Sequence, residues 1–287
     1  MATNQQRREA AKRKLERQLV RRAERARRRK IIGVGATVGV VVVVAGLVVF
    51  FVTRGDDGST PAASPTSAPE SSPIQIPTQR VTEAKRATPL PNPTTCDYPA
   101  AAADQQGAKK ATVPDGKNVP STGTVNVTLK TTVGDIPLTL DRALAPCTVN
   151  SFVSLINQGF YTDTSCHRLG TEGLQILQCG DPTGTGMGGP GYTIPDEAFP
   201  QLTYGRGILA MAKTSQPNSG GSQFFMVYGD AQLDPDYTVF GSISDTGLQA
   251  LDKVARDGVD PASAAQSQDG TGAPKTPVKF TGATVAA

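Results

Sequence analysis

From Gly123 the chain alternates apolar and polar positions. Val125, Val127 and Leu129 share one face, and after Val133-Gly134-Asp135 the alternation resumes at Ile136, Leu138 and Leu140. A period of two interrupted by a glycine turn predicts a β-hairpin with one buried face. The period then lengthens. Val149, Phe152, Val153 and Ile156 recur every three or four residues, which predicts a helix from near Thr148 that Gly159 stops. Further short runs predict strands at Ser165–Leu169, Leu174–Cys179, Gly207–Ala212, Gln223–Val227, Thr238–Ser242 and Val278–Thr281. Leu248, Leu251 and Val254 predict a second helix over Gly247–Arg256. Many short strands with two amphipathic helices indicate a mainly β domain, a barrel or closed sandwich.

Upstream, Ile31 to Val52 is a run of 22 residues without a charge. At about 1.5 Å per residue such a helix spans roughly 33 Å, enough to cross a hydrocarbon core. The expectation is a single transmembrane helix rather than a cleaved leader, whose apolar stretch is shorter. Residues 1–30 hold 13 Lys/Arg and 3 Glu, whereas 15 basic and 22 acidic residues lie from Gly55 onward. The positive-inside rule then predicts a cytoplasmic N-terminus and a single-pass cell-membrane protein whose folded part is extracytoplasmic. The basic leader reads as a topology signal lying on lipid headgroups rather than as a nucleic-acid arm. Residues 53–92, rich in Pro, Ser and Thr, are expected to form an extended tether. Residues 93–120 form a partly ordered extension that carries Cys96, and the folded domain occupies 121–287.

Four cysteines, Cys96, Cys147, Cys166 and Cys179, in an oxidising compartment read as two disulfides, with three connectivities open. Their spacing fits no zinc pattern and His167 is the single histidine, so no metal site is expected. Gly184-Thr185-Gly186-Met187-Gly188-Gly189 satisfies a dinucleotide fingerprint on paper, but Pro190-Gly191 follows where a helix would have to open, so no cofactor is expected. His167 lacks a nucleophile partner and reads as a satisfied core histidine. What remains is Arg168, Gln178, Gln223 and Phe225: a guanidinium, two amides and an apolar ring. That set suits a reaction that breaks no bond, such as rotation about X–Pro.

The runs CHRL…LQCGDPTGTGMGGPGY, YGRGILAMA, GGSQFFMVY and LDPDYTVFG resemble the cyclophilin-type peptidyl-prolyl cis–trans isomerases over roughly Ser121 to Thr284. The anchor, tether and cysteines resemble membrane-attached bacterial members. The resemblance implies a closed eight-stranded antiparallel barrel capped by two helices. It implies catalytic roles for Arg168, Gln223 and Phe225. It gives Ile176 and Leu233 to the walls of a proline pocket and Gln178 to the substrate backbone. Ala212 and Lys213 fall on the strand lying alongside the substrate, and Tyr237 takes a position often held by histidine. Cys166 and Cys179, on successive strands flanking a two-residue insert, are expected to pair, leaving Cys96 for Cys147. The chain departs from the family at Gln175, where an aromatic pocket wall is usual, at Gln232, which replaces an aromatic, and at Lys213, where asparagine is common. These changes tell against cyclosporin binding.

The sequence therefore predicts a cofactor-free prolyl isomerase acting on proline-containing segments of exported or cell-envelope proteins. Its alternative is a non-catalytic module of the same shape that binds such segments as a holdase or scaffold, for which Gln175 is the best argument.

Overall fold

The hairpin forms where the alternation placed it, as β1 (Thr124–Thr131) and β2 (Gly134–Asp141), with Val127, Leu129, Ile136, Leu138 and Leu140 buried. The structure is a computed structural model and describes residues 74–102 and 109–286. The chain divides into units 1–70 and 71–287, and every described residue belongs to the second. After β2 come α1 (Pro146–Asn157), β3 (Arg168–Gly170), β4 (Leu174–Cys179), β5 (Ile208–Met211), β6 (Phe224–Ala231), β7 (Val239–Ile243), α2 (Asp245–Asp257), the single turn α3 (Pro261–Ala264) and β8 (Phe280–Val285). Pattern reading found all but α3, which is too short to show a period.

The strands form one antiparallel sheet in the order β3-β4-β6-β5-β7-β2-β1-β8. Two expectations are corrected here. The sheet is open and curled, a half-barrel with β3 and β8 as its edges, not a closed barrel. Strand β3 is three residues long, and its outer edge is taken by a loop: Leu169 and Gly272 exchange backbone hydrogen bonds of 2.6 and 3.1 Å. Ahead of both edge strands a single isolated bridge, Ser165 to Lys279, joins the two sides without a ladder. The expected transmembrane helix is the second correction. Among the described residues no helix is long and apolar enough to cross a membrane, and Ile31–Val52 lies outside the described residues. The single-pass placement therefore has no structural element behind it.

Helix α1 lacks a side-chain cap of its own. The partly buried carboxylate of Glu197 takes that role, accepting from the amides of Cys147 (3.0 Å) and Thr148 (2.8 Å) and from the Thr148 hydroxyl (2.8 Å). Helix α2 is capped by Ser244, whose hydroxyl accepts from the Gly247 amide, and ends at Gly258 with φ 85°. Between α1 and the sheet sits an aromatic cluster: Phe152 lies 5.2 Å by ring centroids from each of Tyr161, Phe224 and Phe240.

Residues 74–100 run along the surface of this domain. Arg80 reaches the Asp245 carboxylate (2.9 Å) and the Ile243 carbonyl (2.7 Å), and the Val81 amide donates to the Arg206 carbonyl. Arg86 donates to the carbonyls of Leu144 and Glu197 and lies over the Phe199 ring. The Cys96–Cys147 disulfide ties this segment to the start of α1, and Cys166–Cys179 joins the approach to β3 to the end of β4.

Candidate active site

Register brings four strands into one row: Arg168 on β3 lies opposite Gln178 on β4, Gln178 opposite Phe225 on β6, and Phe225 opposite Ala210 on β5. Directly opposed residues in antiparallel strands point to the same face, so distant segments of sequence meet there. Arg168 donates through Nη1 to Gln178 Oε1 (3.4 Å). Gln178 Nε2 donates to Gln223 Oε1 (2.9 Å), and Gln223 Nε2 donates to the carbonyls of Gly186 and Gly188, both at 2.9 Å. This chain of donors fixes both amides and leaves the guanidinium at its head.

Beside it, the Phe225 and Tyr237 rings meet edge to face at 5.5 Å. Ile176 is buried two residues along β4, and Leu233 is partly buried against the same core. A cavity of about 350 Å³ opens next to Gln178 and Gln223 and is also lined by Ala212, Lys213 and the glycine loop Gly186–Gly189. Arg168, Ile176, Phe225, Leu233 and Tyr237 lie outside its lining. Lys213 is nearly covered, its ammonium held between Asp196 and Asp236, each at 3.2 Å.

The glycine loop is built on Asp181. Burial works to raise this carboxyl, but the amide and hydroxyl of Thr183 and the amides of Gly188 and Gly186 outweigh it and hold the carboxyl below its ordinary value. Gly188 has to be glycine, because a Cβ there would fall 2.1 Å from the Asp181 carboxylate.

The sequence from 125 to 285 matches the family model described as cyclophilin type peptidyl-prolyl cis-trans isomerase/CLD. The chain belongs to this family. The protein of Mycobacterium leprae named "Probable peptidyl-prolyl cis-trans isomerase B" is 45% identical over 279 residues, covering 90% of this chain and 93% of its own. The protein of the same name in Mycobacterium tuberculosis is 47% identical over 178 residues, covering 57% of each chain. A crystal structure of a Cryptosporidium parvum cyclophilin type isomerase aligns with 57% of this chain and 99% of its own, at 32% identity and a TM-score of 0.49. Kinship of this strength makes the chain a catalytic prolyl isomerase, which decides against a purely binding module.

Gln175 no longer argues for that module. Its amide nitrogen donates to the Gln75 carbonyl (2.7 Å) and its oxygen accepts from the Asp230 amide (2.8 Å), so it ties the N-terminal segment to β6 instead of walling a pocket. Three residues around the cyclophilin site were not singled out in the sequence. Asp269 and Thr271 both bond Arg168, and Glu197 caps α1. The Asp-Gly-Thr-Gly run at 269–272 is a turn signal, but nothing local says which side chain it reaches.

His167 departs from the satisfied core histidine expected. Its Nδ1 is buried without a hydrogen-bond partner among the described residues. Burial lowers its pKa from the ordinary 6.5, Asp181 works against that, and the Arg168 cation adds to it. A depressed histidine contributes stability that is present above pH 6.5 and lost as pH falls toward the folded value. Melting curves should therefore show wild type losing more stability than His167→Gln between pH 7.5 and 5. Equal losses would mean the ring is solvated.

Proposed function

We propose that the reaction is carried by Arg168, Gln223 and Phe225, with Ile176, Gln178, Ala212, Lys213, Leu233 and Tyr237 binding the peptide. The clients would be proline-containing segments of exported polypeptides, handled by a bacterial form of the family. The observation that carries the catalytic reading is the row Arg168–Gln178–Phe225, with a cation and an apolar ring on one face of the sheet on either side of Gln178.

The chemistry follows from the bond. Rotation about X–Pro faces a barrier of about 18–20 kcal/mol because the nitrogen lone pair is delocalised into the carbonyl. At the twisted midpoint that lone pair is localised on the prolyl nitrogen and can accept a hydrogen bond. A guanidinium placed there stabilises the midpoint more than either planar end state, which is the condition for acceleration. Arginine stays charged throughout, and its planar fork can be held by neighbours while it donates. Phe225 holds the ring while the preceding carbonyl swings, and Gln178 with Gln223 holds the backbone.

Support for exported clients comes from the two disulfides, which persist in oxidising compartments. Cys166 lies two residues before Arg168, and Cys179 directly follows Gln178, so one of these bridges brackets the proposed donor pair. The oxidised form is thus expected to be the working one. Exchange spectroscopy on an Ala–Pro peptide should show turnover by the oxidised protein. Turnover should fall about ten- to hundredfold once both disulfides are reduced and the thiols blocked, since a displacement of about 1 Å in a positioned group has that effect. Equal turnover in both redox states would remove the argument for an oxidising compartment.

A further inference from the structure

We propose that Asp269 and Thr271 are positioning residues for the isomerase reaction: they grip the Nε–Nη2 edge of the Arg168 guanidinium and leave an N–H on each Nη for the prolyl nitrogen. This rests on the reading of Arg168 as the catalytic donor. A guanidinium carries five N–H groups in a fixed plane. The Arg168 Nε–H donates to Thr271 Oγ1 (2.9 Å), one Nη2–H to Asp269 Oδ2 (2.8 Å) and one Nη1–H to Gln178 (3.4 Å). Three of the five N–H groups are thus taken, and one on each Nη is left for the prolyl nitrogen.

The polarity of this grip is forced. Asp269 Oδ1 accepts from both the amide (3.1 Å) and the hydroxyl (2.8 Å) of Thr271. With its one proton committed to the carboxylate, Thr271 Oγ1 can only accept from Arg168. The pair is itself held in place. Gly270, at φ 72°, turns the chain between them, and Thr271 is buried. Gly272 is bonded in both directions to Leu169, the neighbour of Arg168. Behind it, the Ala273 amide donates to Ser263 Oγ (2.8 Å), and the Ser263 amide donates to Asp260, which caps α3.

As a stabilising ion pair this contact counts for little, because the Arg168 and Asp269 side chains are 32% and 55% exposed. Its consequence is geometric. A long, half-exposed arginine samples many rotamers, and rotation needs one N–H held at the nitrogen. Hydrogen bonds from Thr271 and the Arg168 cation hold the Asp269 carboxyl down at about 2, so the grip is complete throughout neutral pH.

The test measures kcat and KM on an X–Pro peptide by exchange spectroscopy with the full-length chain, for Asp269→Ala, Asp269→Asn, Arg168→Ala and the Arg168→Ala/Asp269→Ala pair. Asp269→Ala is expected to lower kcat about tenfold with KM within about twofold, the signature of an interaction that matters in the transition state. Asp269→Asn has one carbonyl oxygen where the carboxylate uses one for Arg168 and the other for Thr271, so it should recover only part of that loss. The Arg168 Nε–H resonance should be sharp in wild type and broadened by Asp269→Ala. On the Arg168→Ala background Asp269→Ala should change nothing further. Wild-type or raised kcat in Asp269→Ala, with Arg168→Ala inactive, would overturn the positioning role alone. Full turnover in Arg168→Ala would bring down the catalytic reading and the positioning role with it.

Discussion

Arg168→Ala is expected to lower kcat/KM for X–Pro rotation by about 10²–10³-fold, the usual loss when one preorganised transition-state donor is removed. Peptide affinity should change little, because the apolar contacts of Phe225 and the hydrogen bonds of Gln178 and Gln223 remain. Arg168→Lys should recover only a small part of the loss. A lysine keeps the charge but offers one flexible ammonium, and it cannot bond Thr271, Asp269 and Gln178 while still facing substrate. Exchange spectroscopy separates the two effects, since bound and free peptide resonances report affinity while cis–trans cross-peaks report turnover. A variant that keeps wild-type cross-peak build-up would show that the row of residues binds without catalysing through its cation. A variant that loses binding and turnover together would assign Arg168 to anchoring the peptide.

How much of this was legible in the sequence depends on the range of the interaction. The β1–β2 hairpin and both long helices were readable because period, turn and stop signal all lie within about twenty residues. Arg168, Gln178, Gln223 and Phe225 stood out as residue types suited to a reaction that breaks no bond, and the resemblance supplied their roles and the remaining pocket residues. Closure of the sheet was misread. The count of strands was right, but β3 ends after three residues and the Gly272 loop occupies its edge, a competition between distant segments that no local pattern encodes. The partner of Gln175 was hidden for a similar reason: its amide goes to the Gln75 carbonyl, one hundred residues away in sequence. Asp269 lies 101 residues from Arg168, and its turn signature says only that the chain bends there.

The same long-range logic gives the largest expected effect on stability, at Arg206 and Asp252. Arg206, just ahead of β5, donates to both carboxylate oxygens of Asp252 on α2, at 2.7 and 2.8 Å, and Nη1 also reaches the Tyr228 carbonyl on β6 at 2.6 Å. The two side chains are only 10% and 12% exposed, so neither charge has much water to fall back on. Asp252→Ala is therefore expected to destabilise the domain by about 3–5 kcal/mol, because it leaves a guanidinium buried and unpaired. Replacing both partners, as in Arg206→Met/Asp252→Leu, should cost clearly less than the single change, since the desolvated charge disappears with its counter-ion. Urea unfolding of the three proteins reads this directly as midpoint shifts at constant slope. A double variant as unstable as Asp252→Ala, or more so, would mean that the pair acts through packing and not through charge. The prediction also bears on the site. The Tyr228 hydroxyl donates to the carbonyl of Gly170, the last residue of β3, so the strand that carries Arg168 is tied through Tyr228 to the β6 backbone that Arg206 braces against α2. Below its unfolding midpoint Asp252→Ala should accordingly turn over peptide more slowly per folded molecule, whereas the double apolar replacement should not.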